Sequence, residues 1–212
     1  MDFDDLLTLI QDDPVFESSL LFAGDVDPKA MRVQLSRWVK SGKIIQLRRG
    51  LYTLAPPWQK NKAHPFLIAN RLQKASYVSL ESALSYYNLI PELVQAVTSV
   101  STGRSEQLST PLGDFSFRHI KTELFFAYQV IKLSNQLVFI AEAEKAILDL
   151  VYLQAGGDDL TFLEALRLQN LNRFNLIKLQ DFAQRFNSPK MIRACQNIII
   201  LSERENKEYQ VL

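Results

Sequence analysis

The sequence predicts an α+β fold built from two units, and three features of the pattern lead to this prediction. A capped helical pattern is followed directly by two short β-branched runs around a glycine turn, between residues 27 and 54. A polar stretch with two prolines then interrupts the chain at residues 55–62. Beyond it, short strand patterns give way to helical patterns that continue nearly to residue 212. With 212 residues, 47% of them hydrophobic, the chain is long enough for two small domains.

The best-defined helix of the first unit begins after Asp27, which is a favourable N-cap, and Pro28 suits the first turn. Gly42 is expected to end it. The apolar face of this helix carries Met31, Leu35, Trp38 and Val39. The polar positions outside that face are suited to phosphates and base edges, and they are Lys29, Arg32, Gln34, Ser36, Arg37 and Lys40.

Two strand-like runs follow this helix, at residues 44–48 and 51–54, and a tight glycine-containing turn joins them into a hairpin. Residues 2–11 and about 15–22 are predicted to form two earlier helices. Helices followed by a hairpin with a basic tip are the order of a winged helix-turn-helix. In such a unit the last helix enters the major groove, and Arg48 and Arg49 on the wing reach the flanking DNA backbone.

Charge is distributed unevenly along the first unit. The chain has no acidic residue between Asp27 and Asn61 but eight lysines and arginines, whereas residues 1–27 contain eight acids and no lysine or arginine. The two stretches cancel, so the net charge of +1 hides a polarised module. Lysine and arginine release counterions condensed on phosphates. We therefore interpret the basic stretch as a DNA-binding face, rather than an ordinary solvated one, and expect the acids to point away from DNA.

The second unit, residues 63–212, is predicted to be a mixed α/β domain with a small sheet and C-terminal helices, and the first unit is residues 1–58. Helices are expected at 63–74 and after Ser79. Strand patterns, typical of a mixed or antiparallel sheet, lie at 94–101, 113–120, 127–133 and 136–140. Helical patterns follow at 141–154, 159–168, 176–187 and 189–203.

The helix predicted at 141–154 is apolar around most of its circumference. Lys145 and Asp149 are spaced four residues apart on it and can therefore pair. We predict a central, buried helix whose charges anchor it at the end of the sheet.

Residues that suggest an enzyme have simpler structural interpretations. His64 and His119 lack a nucleophile motif, and Cys195 lies isolated in an apolar helix, so neither a catalytic set nor a metal site is predicted. The acidic loop at 156–159 is typical of helix ends, and the loop at 101–105 lacks phosphate-loop spacing. We expect no catalytic activity, no cofactor and no metal.

Composition also indicates where the protein resides. A single cysteine excludes an internal disulfide framework and favours a reducing compartment. The N-terminus lacks the basic region of a signal peptide, and no apolar run approaches the length of a membrane span. We expect a cytoplasmic protein without membrane contact.

Three segments carry a resemblance to a known family. Residues 35–52, LSRWVKSGKIIQLRRGLY, resemble the winged-helix hallmark of AbiEi-type antitoxins, the transcriptional regulators of abortive-infection phage defence. Residues 77–84, YVSLESAL, resemble the helix opening after the linker in that family. Residues 140–150, IAEAEKAILDL, resemble its C-terminal signature helix. The resemblance spans most of the chain in the same order.

This resemblance implies the antitoxin of a type IV toxin-antitoxin system. Such a protein represses its own operon at inverted repeats in double-stranded DNA through an N-terminal winged helix. Its C-terminal domain counters a cognate nucleotidyltransferase toxin. Two alternatives from other classes remain open: an enzyme that processes nucleic acid, and a protein-interaction module whose winged helix no longer binds DNA.

Overall fold

A computed structural model of the chain describes residues 1–22, 26–92 and 94–210. The first unit contains three helical segments and three strands. Its elements are α1 (Phe3–Ile10), β1 (Phe16–Glu17), a 3-10 helix (Ser18–Phe22), α2 (Pro28–Lys40), β2 (Ile44–Arg48) and β3 (Leu51–Leu54). The strands form an antiparallel sheet in the order β1-β3-β2. The hairpin and the helix before it therefore lie where the sequence placed them.

The prediction of a regular second helix at about residues 15–22 was wrong. Phe16 instead lies in strand β1 and pairs with Tyr52 of β3, and their rings stack with centroids 5.8 Å apart. The backbone N–H of Ser18 donates to the carbonyl of Gly50 at the turn of the hairpin. These sheet contacts hold the segment extended at its start, which leaves only five residues for a 3-10 helix.

Local chemistry explains the limits of α2. The Asp27 side chain accepts a hydrogen bond from the Lys29 N–H at 2.8 Å, and Pro28 occupies the first turn. Gly42 follows the helix with φ of +69°, a left-handed conformation that glycine adopts without strain. The apolar face of α2 packs into a core made only of residues from the first unit. Its fully buried members are Phe3, Leu6, Ile10, Phe16, Leu21, Met31, Leu35, Trp38, Ile44, Tyr52 and Leu54.

The second unit contains a six-stranded mixed sheet. Its strands are β4 (Ser76–Val78), β5 (Ala96–Ser101), β6 (Glu106–Thr110), β7 (Gly113–His119), β8 (Tyr128–Leu133) and β9 (Gln136–Ala141). The spatial order is β6-β7-β5-β4-β9-β8, with parallel pairs at β5–β7 and β4–β9. Four of these strands were expected from the sequence, whereas β4 and β6 were not.

Helices complete the second unit. They are α3 (Pro65–Leu72), α4 (Leu80–Tyr86), α5 (Ala143–Leu153), α6 (Leu160–Ala165), α7 (Leu176–Arg185) and α8 (Pro189–Gln210). All six coincide with helical patterns of the sequence. Ser79 stands at the start of α4, but its hydroxyl makes no capping hydrogen bond. It donates to Asp149 instead.

The charges of α5 lie inside the core, whereas the sequence analysis predicted the buried helix and the Lys145–Asp149 pair but placed the charges at the end of the sheet. Lys145 and Asp149 are fully buried and form an ion pair. Asp149 also accepts hydrogen bonds from Tyr77 at 3.0 Å and from Ser79 at 2.8 Å, and Lys145 donates to the Tyr77 hydroxyl at 2.8 Å. The rings of Phe126 and Phe186 flank the ammonium group, with centroids 4.9 and 5.1 Å from Nζ. The hydrogen bonds to Tyr77 and Ser79 tie α5 to β4 and to the start of α4.

The two units share apolar and polar contacts. Val15, Leu47 and Leu51 of the first unit belong to the hydrophobic core of the second. The linker is also fixed, because the buried amide of Gln136 accepts from the His64 N–H and donates to the Lys62 carbonyl, both at 2.8 Å. These contacts attach the hairpin directly to the larger domain.

Candidate DNA-binding surface

The exposed face of α2 collects most of the residues that the sequence selected. Side chains exposed there belong to Lys29, Arg32, Ser36, Arg37 and Lys40. They lie opposite the buried Met31, Leu35 and Trp38. Gln34 is half-buried and lies at the flank of this face, four residues before Trp38. It is therefore less accessible than the other predicted residues.

The hairpin presents the remaining two predicted residues. Arg48 ends β2 and Arg49 begins the turn, and both side chains are exposed. A bulge between Gln46 and Arg48 breaks the pairing register with β3. The bulge turns Leu47 into the core while Arg48 stays in solvent. We call the six cations of α2 and the hairpin the cationic surface: Lys29, Arg32, Arg37, Lys40, Arg48 and Arg49.

The electrostatic field of the cationic surface depends on whether neighbouring acids pair with it. Among residues 1–22, 26–92 and 94–210, no carboxylate forms a salt bridge with any of these six side chains. Unpaired, exposed cations keep their full field and can exchange solvent for phosphate oxygens. The surface is therefore electrostatically suited to a polyanion.

Aromatic rings lie beside two basic side chains, one on the exposed face of α2 and the other directed toward the interior of the first unit. The Arg32 guanidinium carbon lies 5.9 Å from the ring centroid of Phe22, at the edge of the exposed face of α2. Lys43 directs its ammonium group toward the aromatic rings of Phe3 and Trp58, at 4.5 and 6.0 Å. Lys43 therefore serves the packing of the first unit and is not a member of the cationic surface.

Three acids of the first unit pair with cations of the linker and the second unit. Asp12 pairs with Lys60 at 3.3 Å, Asp13 with Arg71 at 3.7 Å and Glu17 with Lys74 at 3.2 Å. The hydrogen bond from Lys74 lowers the pKa of the Glu17 carboxyl. Lys60 of the linker, Arg71 of α3 and Lys74 after it are thus partly compensated by acids.

Comparison with known families assigns this part of the chain. A family model described as a transcriptional regulator, AbiEi antitoxin, matches residues 26–55. The resemblance to AbiEi antitoxins is confirmed over this segment. The AbiEi match covers α2, β2 and β3 and includes all eight residues that the sequence analysis selected for DNA contact. No curated protein matches the chain significantly.

The AbiEi family is one of transcriptional regulators, and the reactive side chains outside the matched segment have structural partners. The His64 ring accepts from the Phe66 N–H at 3.1 Å, and burial lowers its pKa. The His119 ring nitrogen Nδ1 lies 2.8 Å from the carbonyl of Gly103. Cys195 is buried, which raises the pKa of its thiol. No cluster of three or more potential metal ligands occurs in the described ranges.

One exposed residue of the AbiEi-matched helix was missed by the sequence analysis. Val33 is 51% exposed although it is apolar, and it lies in the middle of the exposed face of α2. The signal was present in the sequence, because position 33 falls outside the apolar spacing of Met31, Leu35 and Trp38. A search confined to polar residues could not select it.

None of the helices in the part of the chain that the structure describes is both long and apolar enough to cross a membrane.

Proposed function

We propose that this protein is a DNA-binding transcriptional repressor that acts as the antitoxin of a type IV toxin-antitoxin system of phage defence. The observation that carries the proposal is the exposed cationic surface on α2 and the hairpin, inside the segment that matches AbiEi regulators. In this proposal the first unit is a winged helix-turn-helix whose α2 lies in the major groove. Arg48 and Arg49 then contact the flanking phosphates as a wing.

Repression follows from where such a unit would bind. An inverted repeat in the protein's own promoter offers two similar half-sites to two copies of the chain, and bound protein blocks access by the polymerase. The rest of the α2 face supplies direct readout, since Ser36 and Arg37 are suited to hydrogen-bond base edges. Gln34 could contribute only from the flank, because it is half-buried.

Sequence-specific DNA binding is the first expected result. The full chain should bind a duplex from its own promoter at least about a thousandfold more tightly than a duplex of shuffled sequence at physiological salt. Fluorescence anisotropy with labelled duplexes measures both affinities under the same conditions. Equal affinity for the two duplexes would reject the repressor and favour a non-specific nucleic-acid protein.

The second unit is proposed to counter the nucleotidyltransferase toxin. It has a six-stranded sheet and a large hydrophobic core to which the first unit adds only three residues, and this is more structure than a DNA-binding unit requires. It also exposes an apolar face on the hairpin of β8 and β9, formed by Val130, Leu137 and Phe139. Exposed apolar patches of this kind support a protein partner.

Repression and toxin neutralisation should therefore be separable by mutation of the full chain. A variant with Arg32, Arg37, Arg48 and Arg49 all replaced by alanine should lose repression of a promoter fusion. It should still restore growth when co-expressed with the nucleotidyltransferase-type protein of the same operon. Full-length protein is used because an isolated first unit would expose Val15, Leu47 and Leu51. Failure of the parent chain to restore growth would contradict the antitoxin assignment.

A further inference from the structure

Val33 occupies the centre of the exposed face of α2. It lies four residues after Lys29, four before Arg37 and seven before Lys40, so these cations surround it on the helix surface. Its side chain is 51% exposed. A surface built for a polyanion thus has an apolar residue in the middle.

Packing against the residues that the structure describes does not account for this valine. The contacts of α2 with the core are made by Met31, Leu35 and Trp38, on the opposite face. A β-branched residue in the middle of a helix loses side-chain freedom and is less favourable there than alanine or lysine. Val33 therefore lowers the stability of the helix, and burial of its side chain does not offset this loss.

The immediate neighbours of Val33 along the helix favour a close approach to a base. Ala30 precedes it by three residues and Ser36 follows it by three, and both are small and exposed. The longer cations can extend past them to phosphates on either side of the groove. The methyl groups of Val33 then face the floor of the groove.

The chemistry of the base edges indicates which group an apolar residue at position 33 contacts. The major-groove edges of the bases are lined by hydrogen-bond donors and acceptors, and the 5-methyl group of thymine is the apolar group among them. We propose that Val33 determines sequence specificity by packing against the 5-methyl group of one thymine in each half-site. This inference rests on the proposed DNA binding by α2 and adds the identity of one base to it.

Deoxyuridine provides the test, because it differs from thymidine only by the absence of that methyl group. The duplex is the tightest binder selected from a random pool by the full chain, and each thymine is replaced by deoxyuridine in turn. In each half-site one position should weaken binding of the parent about fourfold, the effect of losing one buried methyl group. Val33→Ala should bind the unmodified duplex more weakly and should not respond to deoxyuridine at that position.

Ile177→Ala is the matched control, since Ile177 is also a β-branched residue on a helix and is 72% exposed on α7 of the second unit. That variant should keep the fourfold response of the parent. Because alanine favours helix, circular dichroism should show Val33→Ala fully folded. Specific binding that is insensitive to deoxyuridine at every position, or a sensitivity that persists in Val33→Ala, would overturn the inference and leave the proposed function intact. Absence of specific binding by the parent would overturn both.

Discussion

Lys145→Met is expected to destabilise the protein by about 3–5 kcal/mol, because it leaves the buried carboxylate of Asp149 without its compensating charge. Tyr77 and Ser79 would still donate hydrogen bonds to Asp149, but neither carries a charge. Methionine fills most of the volume of lysine, so packing is lost only in part. Urea unfolding followed by tryptophan fluorescence measures the change in midpoint and slope.

Lys178→Met is the matched control for this variant. Lys178 pairs with Glu142 at 2.5 Å, but its side chain is half exposed, and solvent-exposed pairs contribute little to stability. A Lys145→Met variant that unfolds at the same urea concentration as Lys178→Met would contradict the structural role of the buried pair.

The deficit of Lys145→Met should also depend on pH. Burial raises the pKa of Asp149 above its value in the unfolded chain. A carboxyl with a raised folded-state pKa favours the folded protein at low pH, and this contribution is lost as the pH rises through that pKa. In the parent, the charge of Lys145 partly offsets the rise in the pKa of Asp149, and in Lys145→Met this compensation is lost. The variant should therefore approach the stability of the parent as the pH is lowered through the raised pKa of Asp149.

Local signals made the first unit largely predictable. The Asp27 cap, the apolar spacing of α2 and the turn at Gly50 act over a few residues, so the sequence contains the information directly. The distribution of charge likewise pointed to the cationic surface. The segment after Pro14 was mispredicted because its conformation depends on pairing between Phe16 and Tyr52, which are distant in sequence.

Long-range contacts account for the rest of what the sequence did not reveal. The three-residue strand β4 is too short for a periodic pattern, yet it is central in the sheet and supplies Tyr77 to the buried ion pair. The sequence placed Lys145 and Asp149 together but could not identify their partners Tyr77 and Ser79, about seventy residues earlier. The packing of Leu47 and Leu51 of the hairpin into the core of the second unit likewise depends on contacts between residues that are distant in sequence.

Replacing Arg32, Arg37, Arg48 and Arg49 together with alanine should reduce affinity for the promoter duplex by roughly a thousandfold at about 0.15 M salt. Each phosphate contact contributes about 0.9 to the slope of log K against log salt, so four contribute between three and four units. At that salt concentration a slope change of this size corresponds to a loss of about three powers of ten in the binding constant for the promoter duplex. A base contact by one of the four would add about 1–3 kcal/mol at one position.

A control with the same change in net charge comes from exposed cations of the second unit: Lys121, Lys132, Arg167 and Arg204. Their fourfold alanine variant should keep the parent's salt slope within about half a unit, because counterion release requires contact with phosphate and not merely positive charge. Circular dichroism and the urea midpoint establish that both variants are folded.

The decisive measurement is the salt dependence of promoter binding by the parent and these two variants. Anisotropy from about 0.05 to 0.3 M salt then tests whether DNA binds through α2 and the hairpin. DNA binding through α2 and the hairpin predicts a slope three to four units shallower for the first variant and an unchanged slope for the second. Equal slopes for all three proteins, or a larger loss in the second variant, would contradict the assignment of the DNA-binding surface.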